Sequence, residues 1–186
     1  MGKKLSEMTL EELWQLFPIF LTEHQEVWKE WYLEEEHLLK KVMSKNERIS
    51  HIGSTAVYSI WAKPIIDILL EVPRESDLLY YKDLIINSGY ICMSQTENRL
   101  SFNKGYTENG FAKRVFHLHL RYEGDNNELY FRDYLIEQPD VAKEYEELKF
   151  KLWKKYEHNR DAYTNGKTEL IKKYTEKAKI LYRNRY

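Results

Sequence analysis

The stretch RISHIGSTAV, residues 48–57, sets a Gly-Ser-Thr turn directly after a strand-like run. Glycine at position 53 lets backbone N–H groups approach a phosphate. Ser54 offers a hydroxyl donor, and a helix opening at Thr55 would aim its positive end at the same spot. The turn by itself is equally an ordinary chain reversal. Asp67 follows in KPIIDILLEV (63–72), flanked by Ile66, Ile68 and Leu70. In a strand, Ile65, Asp67, Leu69 and Glu71 share one face, and a carboxylate there is costly unless solvated, paired or metal-bound. A third run, VFHLHLRY (115–122), puts His117 and His119 on one strand face, about 6.5–7 Å apart. Two imidazoles at that spacing can share a phosphate or a metal, and His51 joins them if the strands pair. One aspartate with two histidines suits Zn²⁺ or Mn²⁺ better than Mg²⁺, which prefers an all-oxygen octahedron. NGKTEL (165–170) ends like a phosphate-binding P-loop, but the glycine needed five residues before Gly166 is Asp161, and the region reads helical.

The elements that must position these residues follow from periodicity and punctuation. Thr9 and Glu12 form a capping-box pair opening a short helix that Pro18 ends. Val27, Trp28, Trp31, Tyr32, Leu38, Leu39 and Val42 recur at helical spacing and predict a helix from about Gln25 to Ser44. Short β-branched or aromatic runs predict strands over 48–52, 65–72, 90–94, 100–102 and 114–122. A helix over 76–86 is closed by Asn87-Ser88-Gly89. From Asn127 the pattern is helical again, restarted at Pro139 and broken at 158–161. Helices, a strand-rich centre, then helices make an α+β protein. We expect a single domain over 1–186, its sheet core at about 47–122 and its helical part at about 127–186.

Composition narrows the function classes. A length of 186 residues with 42% hydrophobic side chains supports one folded core. No apolar run approaches the roughly 20 residues that cross a bilayer, so no membrane role is expected. The N-terminus turns amphipathic at once, without a secretory segment, and Gly2 fits an acylation pattern only loosely. Cys92 is the sole cysteine, which excludes an internal disulfide and a multi-cysteine zinc site and fits a reducing cytoplasm. The net charge of −1 hides an asymmetry: residues 142–186 carry thirteen Lys/Arg against seven Asp/Glu, the remainder sixteen against twenty-three. Such a tail is either a set of solvated helix faces or a basic wall for an anionic ligand. The overall balance argues against strong non-specific nucleic-acid binding.

Four blocks in order, HIGSTAV…AKPIIDILLEV, FHLHL, FRDYLIEQPDVAKEYEELKFKL and DAYTNGKTELI, resemble the GrpB family from about Phe17 to Ile171. The resemblance implies a nucleotidyltransferase-like α+β core with a central mixed β-sheet, N-terminal helices and a C-terminal helical segment. It implies a cleft for a nucleotide or other phosphorylated small molecule, bound by Gly53, Ser54, Thr55, Lys63, Arg132 and Lys167. Asp67 is the catalytic candidate, and with His117 and His119 it forms a candidate set for a divalent metal (Mn²⁺, Zn²⁺ or Mg²⁺). No organic cofactor is expected. Further candidates are His51, Glu71, Asp133, Tyr163 and Lys149. Arg132 and Asp133 are neighbours on a helix and are expected to face different ways, Arg132 offering its guanidinium fork to phosphate.

The chain departs from active nucleotidyltransferases at Leu69, where those enzymes carry a second carboxylate. It also has Tyr58-Ser59 where the family has Pro-Gly. Two-metal transfer uses shared carboxylates, so its two-magnesium form is disfavoured. Two functions stay open: a metal-assisted transferase, and a binding module that keeps the pocket without turnover.

Overall fold

A computed structural model describes residues 3–43, 46–183 and 185–186. Gly2 and Ser44, the acylation pattern and the expected helix end, lie outside the described residues. The capping box forms as expected, Thr9 Oγ1 accepting from the Glu12 N–H and Glu12 Oε2 from the Thr9 N–H. It opens α1 (Leu10–Leu16). α2 (Val27–Val42) buries Trp28, Trp31, Tyr32 and Leu39 along one stripe. β1 (Arg48–Ile52), β2 (Ile66–Val72), α3 (Leu78–Asn87), β3 (Ile91–Gln95), β4 (Arg99–Thr107) and β5 (Gly110–Tyr122) make the centre. α4 (Asn127–Glu137), α5 (Pro139–Tyr156), α6 (Arg160–Asn165) and α7 (Thr168–Leu181) complete the chain.

The sheet order is β1-β2-β5-β4-β3. β2 and β5 run parallel and the other neighbours antiparallel, so the sheet is mixed and the class is α+β. β4 and β5 are much longer than the expected 100–102 and 114–122. Gly105 sits in a bulge at φ +90°, where a Cβ would lie 2.2 Å from the Arg114 carbonyl. The strand therefore continues through the glycine to a hairpin turn.

Alternation gives the sheet two different faces. Ile66, Ile68, Leu70 and Val72 of β2, with Leu118 and Leu120 of β5, pack under α2 and α3 in the main core. The opposite face carries Asp67, Leu69 and Glu71 beside His117, His119 and Arg121 in register. The C-terminal helices lie over the β1–β2 side of that face: Leu129 of α4 packs on Ile52 and Leu69. Phe131 and Leu135 of α4 and Tyr145 of α5 pack with Val57 and Ile60 from the β1–β2 loop. α5 also grips that loop, Glu146 Oε1 accepting from the Trp61 N–H at 2.6 Å and the Lys149 ammonium donating to the Trp61 carbonyl. A bridge between Thr22 and Ala62 holds its other side. Lys63 follows directly, which fixes where its side chain enters.

Candidate functional site

Asp67 lies where β1, β2 and β5 meet the end of the β1–β2 loop. Its Oδ1 stands 3.3 Å from His117 Nδ1 and 3.9 Å from His119 Nε2. The first is a long hydrogen bond and the second is beyond one. Its Oδ2 packs on the Gly53 turn, where an added Cβ would fall 2.4 Å away and where φ is +71°. Glycine at 53 thus makes room for this carboxylate rather than for a phosphate. No helix follows the turn either. Ser54–Ala56 is a single 3-10 turn, too short to offer the positive helix end expected at Thr55. Burial pushes the Asp67 carboxyl up, but His117 and His119 outweigh it and hold the group well below the ordinary carboxylate range. Asp67 is ionised at neutral pH.

His117 has a defined tautomer. Its Nε2 lies 3.2 Å from an Arg160 guanidinium nitrogen and 2.8 Å from the Tyr106 hydroxyl. A guanidinium only donates, so Nε2 accepts and the ring proton sits on Nδ1, facing Asp67. Burial lowers this imidazole to about 4, against the opposing pull of Asp67, so the ring is neutral. A polarised chain results: Asp67 carboxylate, His117 N–H, His117 lone pair, Arg160 and Tyr106.

The residues around this chain form a cleft of about 720 Å³ between the polar sheet face and the C-terminal helices. Among its walls are Gly53, Ser54, Thr55, Lys63, Asp67, His117, His119, Arg132, Lys149, Tyr163 and Lys167, eleven of the fourteen expected residues. Burial lowers the Lys63 ammonium to about 7, with Lys167 and Arg160 adding repulsion and Asp67 only partly compensating. Burial takes Lys149 to about 7 as well, with Lys167 adding to it. Lys167 falls to about 8 for the same first reason, against Asp67 and with Arg160. The Lys63 and Lys167 ammoniums lie 5.4 and 4.6 Å from the centre of the Tyr163 ring. The Tyr163 hydroxyl is buried and has no hydrogen-bond partner among the described residues. Phe131, Leu135 and Ile171 give the cleft an apolar wall.

Three expected residues stand elsewhere. His51 does belong to a strand paired with β2, but it sits opposite Ile68. One residue of register puts it on the other sheet face, stacked on Tyr32 at 4.7 Å, with Nε2 3.0 Å from Thr55 Oγ1. Glu71 shares the Asp67 face but is fully buried, accepting from Arg48 Nε at 2.6 Å and Asn126 Nδ2 at 3.0 Å. It ties β2 to the start of α4. Asp133 does not face away from Arg132: the two pair at 2.7 Å, because the long guanidinium stem folds back over its neighbour.

Two cleft residues are engaged structurally. Arg132 spends Nε on Asp133, Nη1 on the His51 carbonyl and Nη2 on the Tyr186 hydroxyl. Thr55 Oγ1 donates to the Ile65 carbonyl.

Sequence reasoning missed Arg160, Tyr106 and Tyr145. Arg160 lies in the 158–161 break, read only as punctuation. Tyr106 lies in the unrecognised extension of β4. Tyr145, which lines the cleft together with Ser54, is lost in the apolar stripe of α5.

These residues fit a divalent metal poorly. A ligating Nδ1 needs a free lone pair, and the Nδ1 of His117 carries a proton. Leu69, at the second-carboxylate position, is packed against Ile52 and Leu129. Among the described residues, no group of three or more His, Cys, Asp or Glu side chains stands in a metal-holding arrangement. No helix of the described residues is long and apolar enough to cross a membrane.

The family model described as GrpB protein matches residues 18–177. The UPF0157 protein YqkA of Bacillus subtilis is 33% identical over 183 residues, which cover 95% of this chain and 52% of YqkA. The chain thus spans about half the length of that relative. The glutamate-rich protein GrpB of Alkalihalophilus pseudofirmus is 36% identical over 161 residues, covering 82% of this chain and 91% of its own. Among solved structures, the conserved protein GrpB from Enterococcus faecalis superposes with a TM-score of 0.72 at 34% identity, over 88% of this chain and 99% of that one. A Cid1 poly(U) polymerase structure aligns over 75% of this chain and 47% of its own, at 15% identity and a TM-score of 0.43. That likeness is too distant to bear on fold or activity. With a family match across most of its length and a GrpB structure of the same architecture, the chain belongs to the GrpB family.

Proposed function

We propose that the cleft binds a nucleotide or another phosphorylated small molecule, with its phosphate among Lys63, Arg160 and Lys167. The observation that carries this reading is the gathering of these cations in one cleft with the half-buried Asp67 carboxylate. Burial, reinforced by mutual repulsion of the cations, lowers Lys63 to about 7 and Lys167 to about 8, and an arriving anion offsets both. The volume, about 720 Å³, suits a ligand of nucleotide size, and the Phe131–Leu135–Ile171 wall offers an apolar surface for its organic part. Thermal unfolding with AMP, ADP, ATP and inorganic phosphate tests the reading. A ligand at ~100 times its Kd adds roughly 2.7 kcal/mol to the folded state, a shift of several degrees. We expect such a shift in wild type and its loss in Lys167→Ala; equal shifts in both would remove the cleft from consideration.

A second reading, metal-assisted transfer on the same ligand, is favoured by the meeting of Asp67 with His117 and His119. It requires the His117 ring to release its Nδ1 proton and its contact with Arg160. Product formation that depends on Mn²⁺ or Mg²⁺ and is lost in Asp67→Asn supports it; full turnover by Asp67→Asn rules it out.

A further inference from the structure

We propose that the cleft takes a phosphomonoester free of divalent metal, the side-chain cations of Lys63, Arg160 and Lys167 standing where an ion would. This rests on the phosphate-binding reading above and adds what accompanies the phosphate and how many phosphates fit.

The geometry argues it in three steps. First, Arg160 holds Nε2 of His117 as an acceptor at 3.2 Å, which leaves the proton on the nitrogen that faces Asp67. The Asp67–His117 pair therefore offers one carboxylate and an N–H, not a chelate. Second, no carboxylate lies in register beside Asp67 and His117. Across β2, β5 and β4, the rank through Asp67 continues with His117 and Asn103, and the next rank runs Leu69, His119 and Ser101. Among these strand neighbours no second carboxylate is available to share an ion. Third, the cleft that Asp67 lines already holds cations: Arg160 stands on His117, which faces Asp67, and Lys63 and Lys167 line the same walls near the Tyr163 ring. A divalent ion there would be repelled by Lys63, Arg160 and Lys167, whereas a phosphoryl group is attracted to all three. Preplaced charged side chains stabilise a bound anion as an ion does.

Charge then limits the ligand. With Lys63 and Lys167 charged by the arriving anion, three cations against Asp67 leave an excess of two positive charges, the complement of one phosphomonoester dianion; Glu128, another carboxylate in these walls, lies in the field of Arg99 and Arg121. The other cations of the walls are committed: Lys149 to the Trp61 carbonyl and Arg132 to His51, Asp133 and Tyr186. Asp161 is exposed at the rim. A free triphosphate brings about twice the charge that this end can neutralise.

Titration calorimetry of the whole protein with AMP, ATP and inorganic phosphate tests this, first in excess EDTA and then with Mn²⁺ or Mg²⁺. We expect AMP to bind in EDTA, with an affinity that changes less than about twofold on adding metal and that exceeds that of ATP. Arg160→Gln should weaken AMP by about tenfold or more, a loss of roughly 1.4 kcal/mol or more, while leaving the unfolding midpoint within a few degrees of wild type. A second measurement is independent of any phosphate: nitrogen NMR of the His117 ring, with and without Mn²⁺ alone. A protonated Nδ1, undisturbed by the ion, is the expected result. Binding that appears only with metal, tighter binding of Mg-ATP than of AMP, or Mn²⁺ broadening of the His117 and His119 rings would each overturn the metal-free assignment while leaving phosphate binding intact. Failure of all three probes under every condition would overturn the phosphate reading and this one together.

Discussion

Gly53 and Asp67 are a coupled pair. The backbone at 53 has φ +71° and ψ −173°, a region that side chains other than glycine occupy only under strain, and the missing Cβ is where Asp67 Oδ2 packs. Gly53→Ala should cost about 1–3 kcal/mol in backbone strain alone and displace the carboxylate from His117. In a double-mutant cycle by urea unfolding, Asp67→Ala should recover the clash but not the strain, giving non-additive costs. Additive costs would show that the two residues do not meet. Gly53 was legible in the sequence as a site residue, but not as the neighbour of Asp67. A glycine after a strand announces a close approach without saying what approaches.

At the scale of elements, the β1–β2 loop depends on α5. Glu146 and Lys149, three residues apart on one helix face, take the N–H and the carbonyl of Trp61. Lys149 was expected as a solvated helix lysine or part of a basic wall; it is 2% exposed and holds the loop that delivers Lys63. Lys149→Met should leave the Trp61 carbonyl buried without a donor, at a cost of about 1–3 kcal/mol. It should also speed hydrogen exchange at Trp61 and Ala62. An unchanged midpoint and unchanged exchange would show that the clamp is not needed. The strands themselves were readable, because β-branched runs and turn residues mark them locally. Their pairing was not. His51, Asp67 and His117 all lie on predicted strands, but which of them share a face depends on register between strands distant in sequence, and register placed His51 with Tyr32.

Over the whole molecule, the folded state refuses protons that the unfolded chain accepts. His51 and His117 sit at about 4 in the fold, both lowered first by burial, against about 6.5 when exposed. The unfolded state thus binds more protons between roughly pH 6.5 and 4, and stability falls as pH is lowered through that window. Lys63 and Lys149 near 7 and Lys167 near 8 act in the same direction higher up, so stability also falls from about pH 10 towards 7. Each proton contributes a slope of about 1.4 kcal/mol per pH unit. Urea unfolding from pH 4 to 9 should show stability rising with pH across the range, with a smaller slope below 6.5 in His117→Phe. A slope unaltered in that variant would mean that His117 is not held neutral. A ligand anion restores charge to the lysines, so saturating AMP should flatten the rise between pH 7 and 9.

The sequence by itself determined the class, the order of elements, the family and eleven of the residues that line the cleft, since periodicity, turn chemistry and motif spacing are local properties of a chain. Only the tertiary structure decided what those residues do for one another. The tautomer of His117 is set by Arg160, forty-three positions away. The neutrality of its ring is set by burial beneath the C-terminal helices, and Glu71, Arg132 and Asp133 are assigned to structural pairs by partners from other elements. Charge state and partnership depend on distances through space and on exclusion of water, and neither is written in the order of residues along the chain.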